Sequence, residues 1–251
     1  VPIPIKKLLL RLPMIRNLRN ALYSCMGKRV VAVELINSLL QIDFTKSEQR
    51  ALLLRNYEPE VRQYISETVK PGDVVIDVGA HIGYYTLLLS SLVGPDGLVV
   101  AFEPFPDSAE TLRTNVLINR RNNVIVEQIG LAHFTGTADL YIPSEACKAS
   151  LSRVVARKIP AEFITFDKYV QSHPRAAEAK FIKVDVKGAE LQVVMGMESF
   201  LQSHKPCFLI EFNSEEEYKH VRALLTQFGY NLFERIGEGQ YGFWIVCRSG
   251  A

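Results

Sequence analysis

Three stretches of this sequence combine residue types that could do chemistry. The first is VVIDVGAHIGYYTLLL, Val74 to Leu89, where an apolar run closes on Asp77 and is followed by Gly79, Ala80, His81, Ile82 and Gly83. A chain that turns sharply from a strand into a helix while its backbone approaches a ligand needs glycine at such points. The helix that follows offers unpaired N–H groups to an anion or carboxylate. A dinucleotide turn would read G-x-G-x-x-G, and the middle glycine that lets a pyrophosphate lie against the backbone is absent here. Asp77, just ahead of the first glycine, would repel a pyrophosphate and attract an ammonium group. A nucleoside with a cationic amine therefore suits the loop better than NAD.

The second stretch is AFEP, which places Glu103 26 residues after Asp77. An acidic side chain at the end of the second strand of such a unit can accept both hydroxyls of a ribose. The third comprises KVDVKGAE and, further on, IEFN. It brings Asp185, Lys187 and Glu190 after one strand and Glu211 and Asn213 after another. Ligands of open α/β sheets collect at the carboxyl ends of strands, so these side chains are candidates for handling a proton there. His81 is a further candidate, either tuning ligand contacts or acting as a base, with the first favoured. His133 carries the same two readings.

The elements that must position these residues follow from periodicity. Nearly continuous apolar runs predict strands at Val74–Val78, Leu98–Glu103, Val124–Ile129, Phe181–Val186 and Phe208–Phe212, as in a parallel sheet covered on both faces. Between them fall helices from Tyr84 to Val93, from an Asp107/Glu110 capping pair to about Asn119, from about Ala189 to Gln202, and from Ser214 to Gly229. Asn231–Ile236 and Gly242–Cys247 read as a terminal hairpin. The rhythm breaks over about 133–180. There only Thr137–Ile142 alternates like a strand, and an insertion of this kind on a rigid body is where substrate-shaping elements sit.

Bulk composition narrows the partners. With 251 residues, 48% hydrophobic and 22% charged, the chain can bury a full core. The four cysteines, Cys25, Cys147, Cys207 and Cys247, have neither disulfide-framework nor zinc-ligand spacing, which favours a reducing, cytoplasmic setting. Seven of the 29 basic residues (Lys6, Lys7, Arg11, Arg16, Arg19, Lys28 and Arg29) and none of the 27 acidic ones precede Glu34. The body is thus mildly acidic, and no specific nucleic-acid partner is expected. The basic, leucine-rich head could lie on an anionic membrane or pack on its own domain, but it is too short and too charged to span a bilayer. The chain begins at Val1 rather than Met, which leaves room for an upstream segment or anchor.

Taken in order, D-V-G-A-H-I-G-Y-Y-T, A-F-E-P, K-V-D-V-K-G-A-E-L and I-E-F-N, with Y-E-P-E at Tyr57–Glu60 and K-P-G-D at Lys70–Asp73, resemble the FkbM family of S-adenosylmethionine (SAM)-dependent methyltransferases. The resemblance covers roughly residues 55 to 247. It implies an α/β, Rossmann-like class I fold with a seven-stranded, mostly parallel sheet, the last strand antiparallel and helices on both faces. In that organisation residues 1–54 form a basic leader with a helix and short strands, and 55–251 the methyltransferase domain with its insertion. The resemblance also implies SAM as cofactor. Asp77, Gly79 and Gly83 would hold its methionine end, assisted by Glu58, Ala80 and His81; Glu103 would hold the ribose, and Gln128 would lie near the adenine. Two positions depart from the family pattern: His81 stands where asparagine is usual, and Lys187 where glutamate is usual.

The activity this implies is O-methylation of a hydroxyl on a small-molecule, sugar or lipid-like acceptor. Asp185 or Glu190 would serve as base or acceptor clamp, with Lys187 and His81 at the same edge. A magnesium ion on Asp185, Glu211 and Asn213 is an alternative way to lower the pKa of the hydroxyl. Methylation of RNA and a non-catalytic SAM-binding partner module are the rival functions.

Overall fold

A computed structural model describes residues 30–35, 38–43, 49, 52, 57–142, 157–239 and 242–250. The basic head before Val30, Cys25 and Cys147 lie outside the described residues, and with them the expected membrane contact. Among the described residues no helix is long and apolar enough to cross a membrane.

Among the described residues the first elements are an antiparallel pair, β1 (Val30–Leu35) and β2 (Ser38–Asp43), and helix α1 (Pro59–Thr68). Then come β3 (Val74–Val78), α2 (Tyr84–Val93), β4 (Leu98–Phe102), α3 (Pro106–Ile118) and β5 (Val124–Glu127). The irregular region contributes β6 (Gly130–Leu131), β7 (Gly136–Ile142), β8 (Arg157–Ile164), α4 (Phe166–Ser172) and a 3-10 turn at Pro174–Glu178. The rest is β9 (Ala179–Val184), α5 (Glu190–Met195), α6 (Glu198–Ser203), β10 (Cys207–Phe212), α7 (Glu215–Gln227), β11 (Tyr230–Glu238) and β12 (Phe243–Ser249).

Seven strands form one sheet in the order β11-β12-β10-β9-β3-β4-β5. Neighbours from β10 to β5 are parallel, and β12, the last strand of the chain, runs antiparallel between β10 and β11. This is the expected class I architecture. Strand order reverses beside β3, so the carboxyl ends of β3 and β9 part there and leave the crevice in which doubly wound sheets bind ligands.

Period-two alternation divides the side chains between two faces. Val74, Ile76 and Val78 of β3 join Ile182, Val184, Phe208 and Ile210 in the core under α4–α7. Val75, Val99, Phe181, Leu209 and Trp244 pack under α1, α2 and β2 with Val61, Ile65, Leu87 and Leu40. The same alternation puts Asp77, Lys183, Asp185 and Glu211 on the second face, near the carboxyl edge.

Several boundaries differ from expectation. Glu103 and Asp185 fall just past the ends of β4 and β9, where side chains are released toward a ligand. Helix α3 starts at Pro106 with Phe105 as its N-cap and no side-chain cap, so Asp107 and Glu110 are not a capping pair. Pro at the first helical position needs no N–H there. The helix expected over Ala189–Gln202 is broken at Gly196, where a Cβ would lie 2.1 Å from the Ala132 carbonyl oxygen. Ser214 does cap α7, accepting from the Glu217 N–H at 3.2 Å. In the irregular region β8 follows a polar stretch with no strand signal; it pairs with β7 and β6 in a separate three-stranded sheet.

Candidate active site

The glycine turn sits at the switch point. Gly79 has φ 76°, and a Cβ on it would lie 2.0 Å from the Asp185 carbonyl oxygen, so strands β3 and β9 separate around a residue that must lack a side chain. The N–H groups of Gly79 and Ala80 both reach the Phe102 carbonyl, at 3.0 and 3.1 Å. Gly83, at φ 93°, caps α2 without a side chain and packs on Leu112 of α3. His81 has φ 51°, a left-handed conformation that asparagine and histidine both tolerate.

Glu103 closes the turn. Its Oε2 accepts from the His81 N–H at 2.8 Å and its Oε1 from the Phe105 N–H at 2.9 Å. Burial pushes its pKa up to about 7, with the two N–H contacts opposing the rise. An ionised carboxylate has about four acceptor sites, so two remain for a diol. Beside it, Pro104, Pro106, Gln128, Thr137, Ala161 and Glu162 line an open cavity of about 410 Å³ between the main sheet and the smaller one. Gln128 is exposed there and accepts from Arg113 at 2.9 Å.

Asp77 is placed differently from the direct methionine contact expected. It is fully buried, its Oδ1 3.0 Å from Lys183 Nζ and its Oδ2 accepting from the Thr86 hydroxyl at 2.7 Å. The ammonium its carboxylate faces is the chain's own. Lys183 is itself buried, 5.2 Å from the Tyr85 ring centre and 6.0 Å from that of Trp244. Removing one partner of a buried pair strands the other charge, at a cost of about 3–5 kcal/mol. Lys183→Met is therefore expected to lower unfolding free energy by about that amount in urea titrations. The double variant with Asp77→Asn should recover most of it.

At the next two strand ends, Asp185, Lys187 and Glu211 come together. Lys187 Nζ is 2.7 Å from Asp185 Oδ1 and also donates to Glu211 Oε2. Proximity of Lys187 and Lys183 holds Asp185 below the ordinary carboxylate range against the effect of its burial. Burial and the neighbouring Asp185 push Glu211 the other way, up to about 7. Tyr57, at the entry to α1, stands within reach of both charges; its hydroxyl is driven up by burial and by Glu58, Asp185 and Glu211. The Tyr57 ring meets Tyr84 edge-on at 5.3 Å, and buried Glu58 accepts from the Tyr85 hydroxyl.

Two expectations need correction. Glu190 is fully buried and turns back on its own loop, accepting from the Gly188 N–H at 3.1 and 3.2 Å and from Val186 at 3.4 Å. It shapes the loop that carries Lys187 and has no surface with which to take a proton from an acceptor. The magnesium site is also set aside. Asp185 and Glu211 do meet, but on an ammonium, Asn213 is exposed, and among the described residues no group of three metal-ligating side chains is assembled. His133 is exposed beside Phe134.

Three contributors escaped the sequence reading. Asn115 of α3 donates to the Ile82 carbonyl at 2.7 Å and accepts from the Gln41 N–H at 2.6 Å, tying the glycine turn to β2. Its only signal is a polar residue on the buried stripe of Ser108, Ala109 and Leu112. Gly239 lies so close to Glu211 that a Cβ would be 1.8 Å from Oε1. Tyr57 belongs to the Y-E-P-E stretch, in which the tyrosine's type alone points to no role.

A glycine turn at the switch point, a carboxylate at the next strand end and an antiparallel last strand define a class I SAM-dependent methyltransferase. The chain belongs to the FkbM family of these enzymes: the family model described as "Methyltransferase FkbM domain" matches residues 77–232. It is 29% identical over 171 residues to the hexuronic acid methyltransferase AglP of Haloferax volcanii, covering 68% of each chain. It is 46% identical over 52 residues to the 31-O-demethyl-FK506 methyltransferase FkbM of Streptomyces tacrolimicus, covering 21% of this chain and 20% of that one. Its fold superimposes on the methyltransferase FkbM of Methylobacillus flagellatus with a TM-score of 0.51 at 16% identity, over 74% of this chain and 50% of that one.

Proposed function

We propose that this protein transfers the methyl group of SAM to a hydroxyl of a carbohydrate-like acceptor. The observation that carries the reading is the Asp185–Lys187–Glu211 cluster, set at the carboxyl edge of β9 and β10 beside the glycine turn. The names of two relatives, one a hexuronic acid methyltransferase and one a 31-O-demethyl-FK506 methyltransferase, support an oxygen acceptor.

The site fits the cofactor. Glu103 retains two acceptor positions for a ribose diol, the first turn of α2 has no side-chain cap, and the cavity beside Gln128 can take a planar base. SAM, when bound, supplies a methyl already activated by its sulfonium. The chain's own residues then align the acceptor and move one proton. Alignment alone can be worth roughly 7–11 kcal/mol in favourable models. Asp185, partly exposed and ionised, receives the hydroxyl proton, and Glu211 behind it, with its raised pKa, stabilises the protonated pair. Tyr57, within electrostatic range of Asp185 and Glu211, flanks this edge.

The reading is tested by incubating the full chain with methyl-labelled SAM and a panel of uronic acids, neutral hexoses and amino sugars. Label retained through mild alkali, as in a methyl ether, is the expected result. Label released by alkali, as in a carboxyl ester, or carried on nitrogen, overturns it.

A further inference from the structure

The Asp185–Glu211 pair has the chemistry of a hard-cation site. Two carboxylates from adjacent strands converge, Glu211 is only 2% exposed, and its Oε1 has no hydrogen-bond partner among the described residues. Oxygen ligands of this sort hold Mg²⁺, Mn²⁺ or Ca²⁺ when a third joins them. Lys187 Nζ is in contact with both, and the two carboxyl groups also hydrogen-bond each other. The backbone is shaped to deliver it: Lys187 has φ 57° and Gly188 φ 107°, and Glu190 grips the N–H groups on either side, at Val186 and Gly188. The left-handed region is unfavourable for a residue with a β-carbon, so the loop keeps this geometry against its own preference.

From these contacts we infer that Lys187 is a resident cation, filling between Asp185 and Glu211 the position that a divalent metal ion would take. It is a positioning residue: one ammonium orients both carboxylates and cancels the charge that would otherwise drive them apart. The inference rests on the methyl-transfer reading only for its purpose; the site itself is a matter of geometry. Its consequence is that the metal site is latent. Replacing the ammonium by a third carboxylate should open it.

Lys187→Asp is the test, since aspartate tolerates the left-handed backbone required there. The full-length variant and its parent are titrated with Mn²⁺ alone, by calorimetry and by the loss of the free-ion paramagnetic signal. Folding is checked by far-ultraviolet dichroism and by SAM affinity. A folded Lys187→Asp chain is expected to bind one Mn²⁺ at least about thirtyfold more tightly than the parent, and to lose it when Asp185→Asn is added. A folded variant without such binding overturns the inference, as does a parent chain that binds Mn²⁺ equally well through Asp185. Lys187→Ala offers a second readout, its methyl transfer rising at least about tenfold with added ethylammonium. The Mn²⁺ titration needs no acceptor. A parent chain that binds SAM yet methylates no hydroxyl therefore refutes the proposed reaction without touching the metal result.

Discussion

Asp185→Asn is expected to lower turnover by about 10²–10⁴-fold, the usual worth of a positioned base, while SAM affinity stays within about threefold. The asymmetry follows from place. Asp185 lies past the end of β9, its carboxylate on Lys187 and not on the glycine turn; only its backbone carbonyl faces Gly79. The pH dependence gives a second signature. The pair must be ionised to accept a proton, and Glu211, raised by burial and by Asp185, takes up its proton near 7. Turnover of the parent chain should therefore climb as pH rises through about 7 and then level off. Without the Asp185 charge one cause of the rise is gone while Lys187 still favours the ionised form, so the residual activity of Asp185→Asn should reach its plateau at lower pH. Steady-state rates over pH 5.5–9 read both effects.

Gly79→Val should abolish measurable SAM binding. A β-carbon there would sit 2.0 Å from the Asp185 carbonyl oxygen, well inside contact distance, and at φ 76° a β-branched residue is strained whatever the space. Relief requires parting β3 from β9 at the crevice, which shifts Asp185 and the Ala80 and His81 N–H groups together. A loss of at least about 100-fold in affinity is expected by calorimetry, with a fall of about 2–4 kcal/mol in stability. Gly83→Ala should be milder, because its nearest neighbour is the end of a Leu112 side chain that can rotate away.

Much of this was legible in the sequence because two periodicities are clean. Buried parallel strands read as unbroken apolar runs, and the glycines mark the turn where backbone and ligand must approach. Even the polar row was written in alternation, with Lys183, Asp185 and Lys187 at every second position. What local pattern could not supply was partner choice across strands. Asp77 meets Lys183, 106 residues away, so the amine that its carboxylate calls for is supplied by the chain itself. Glu190 differs from its expected role for the same reason. One-dimensional spacing puts it beside Asp185, whereas the left-handed turn at Lys187 and Gly188 folds it back beneath the loop. The break at Gly196 depends on a carbonyl from Ala132, and β8 on pairing with β7, contacts that no window of neighbouring residues contains.

The corrections also simplify the chemistry. The face that carries Asp77, Lys183, Asp185, Lys187 and Glu211 is a continuous run of alternating charge from the foot of the glycine turn to the edge of β10. Its inner members lie beside the glycine turn and its outer members lie at the carboxyl edge of β9 and β10. Asp185 and Glu211 also touch each other directly, and Lys183 and Lys187 supply the positive charge that lets several buried carboxyl groups coexist on one sheet face.

The central claim is that the turn from Gly79 to Gly83 and Glu103 together hold SAM, and calorimetric titration of SAM into the parent chain and Glu103→Gln tests it most directly. The parent should bind more weakly at pH 6 than at pH 8, because the carboxylate must be ionised to accept the ribose hydroxyls and its pKa lies at about 7. Glu103→Gln should bind about 10–100-fold more weakly than the parent at pH 8 and lose the pH dependence. Equal affinity of parent and variant at pH 8 would contradict the account.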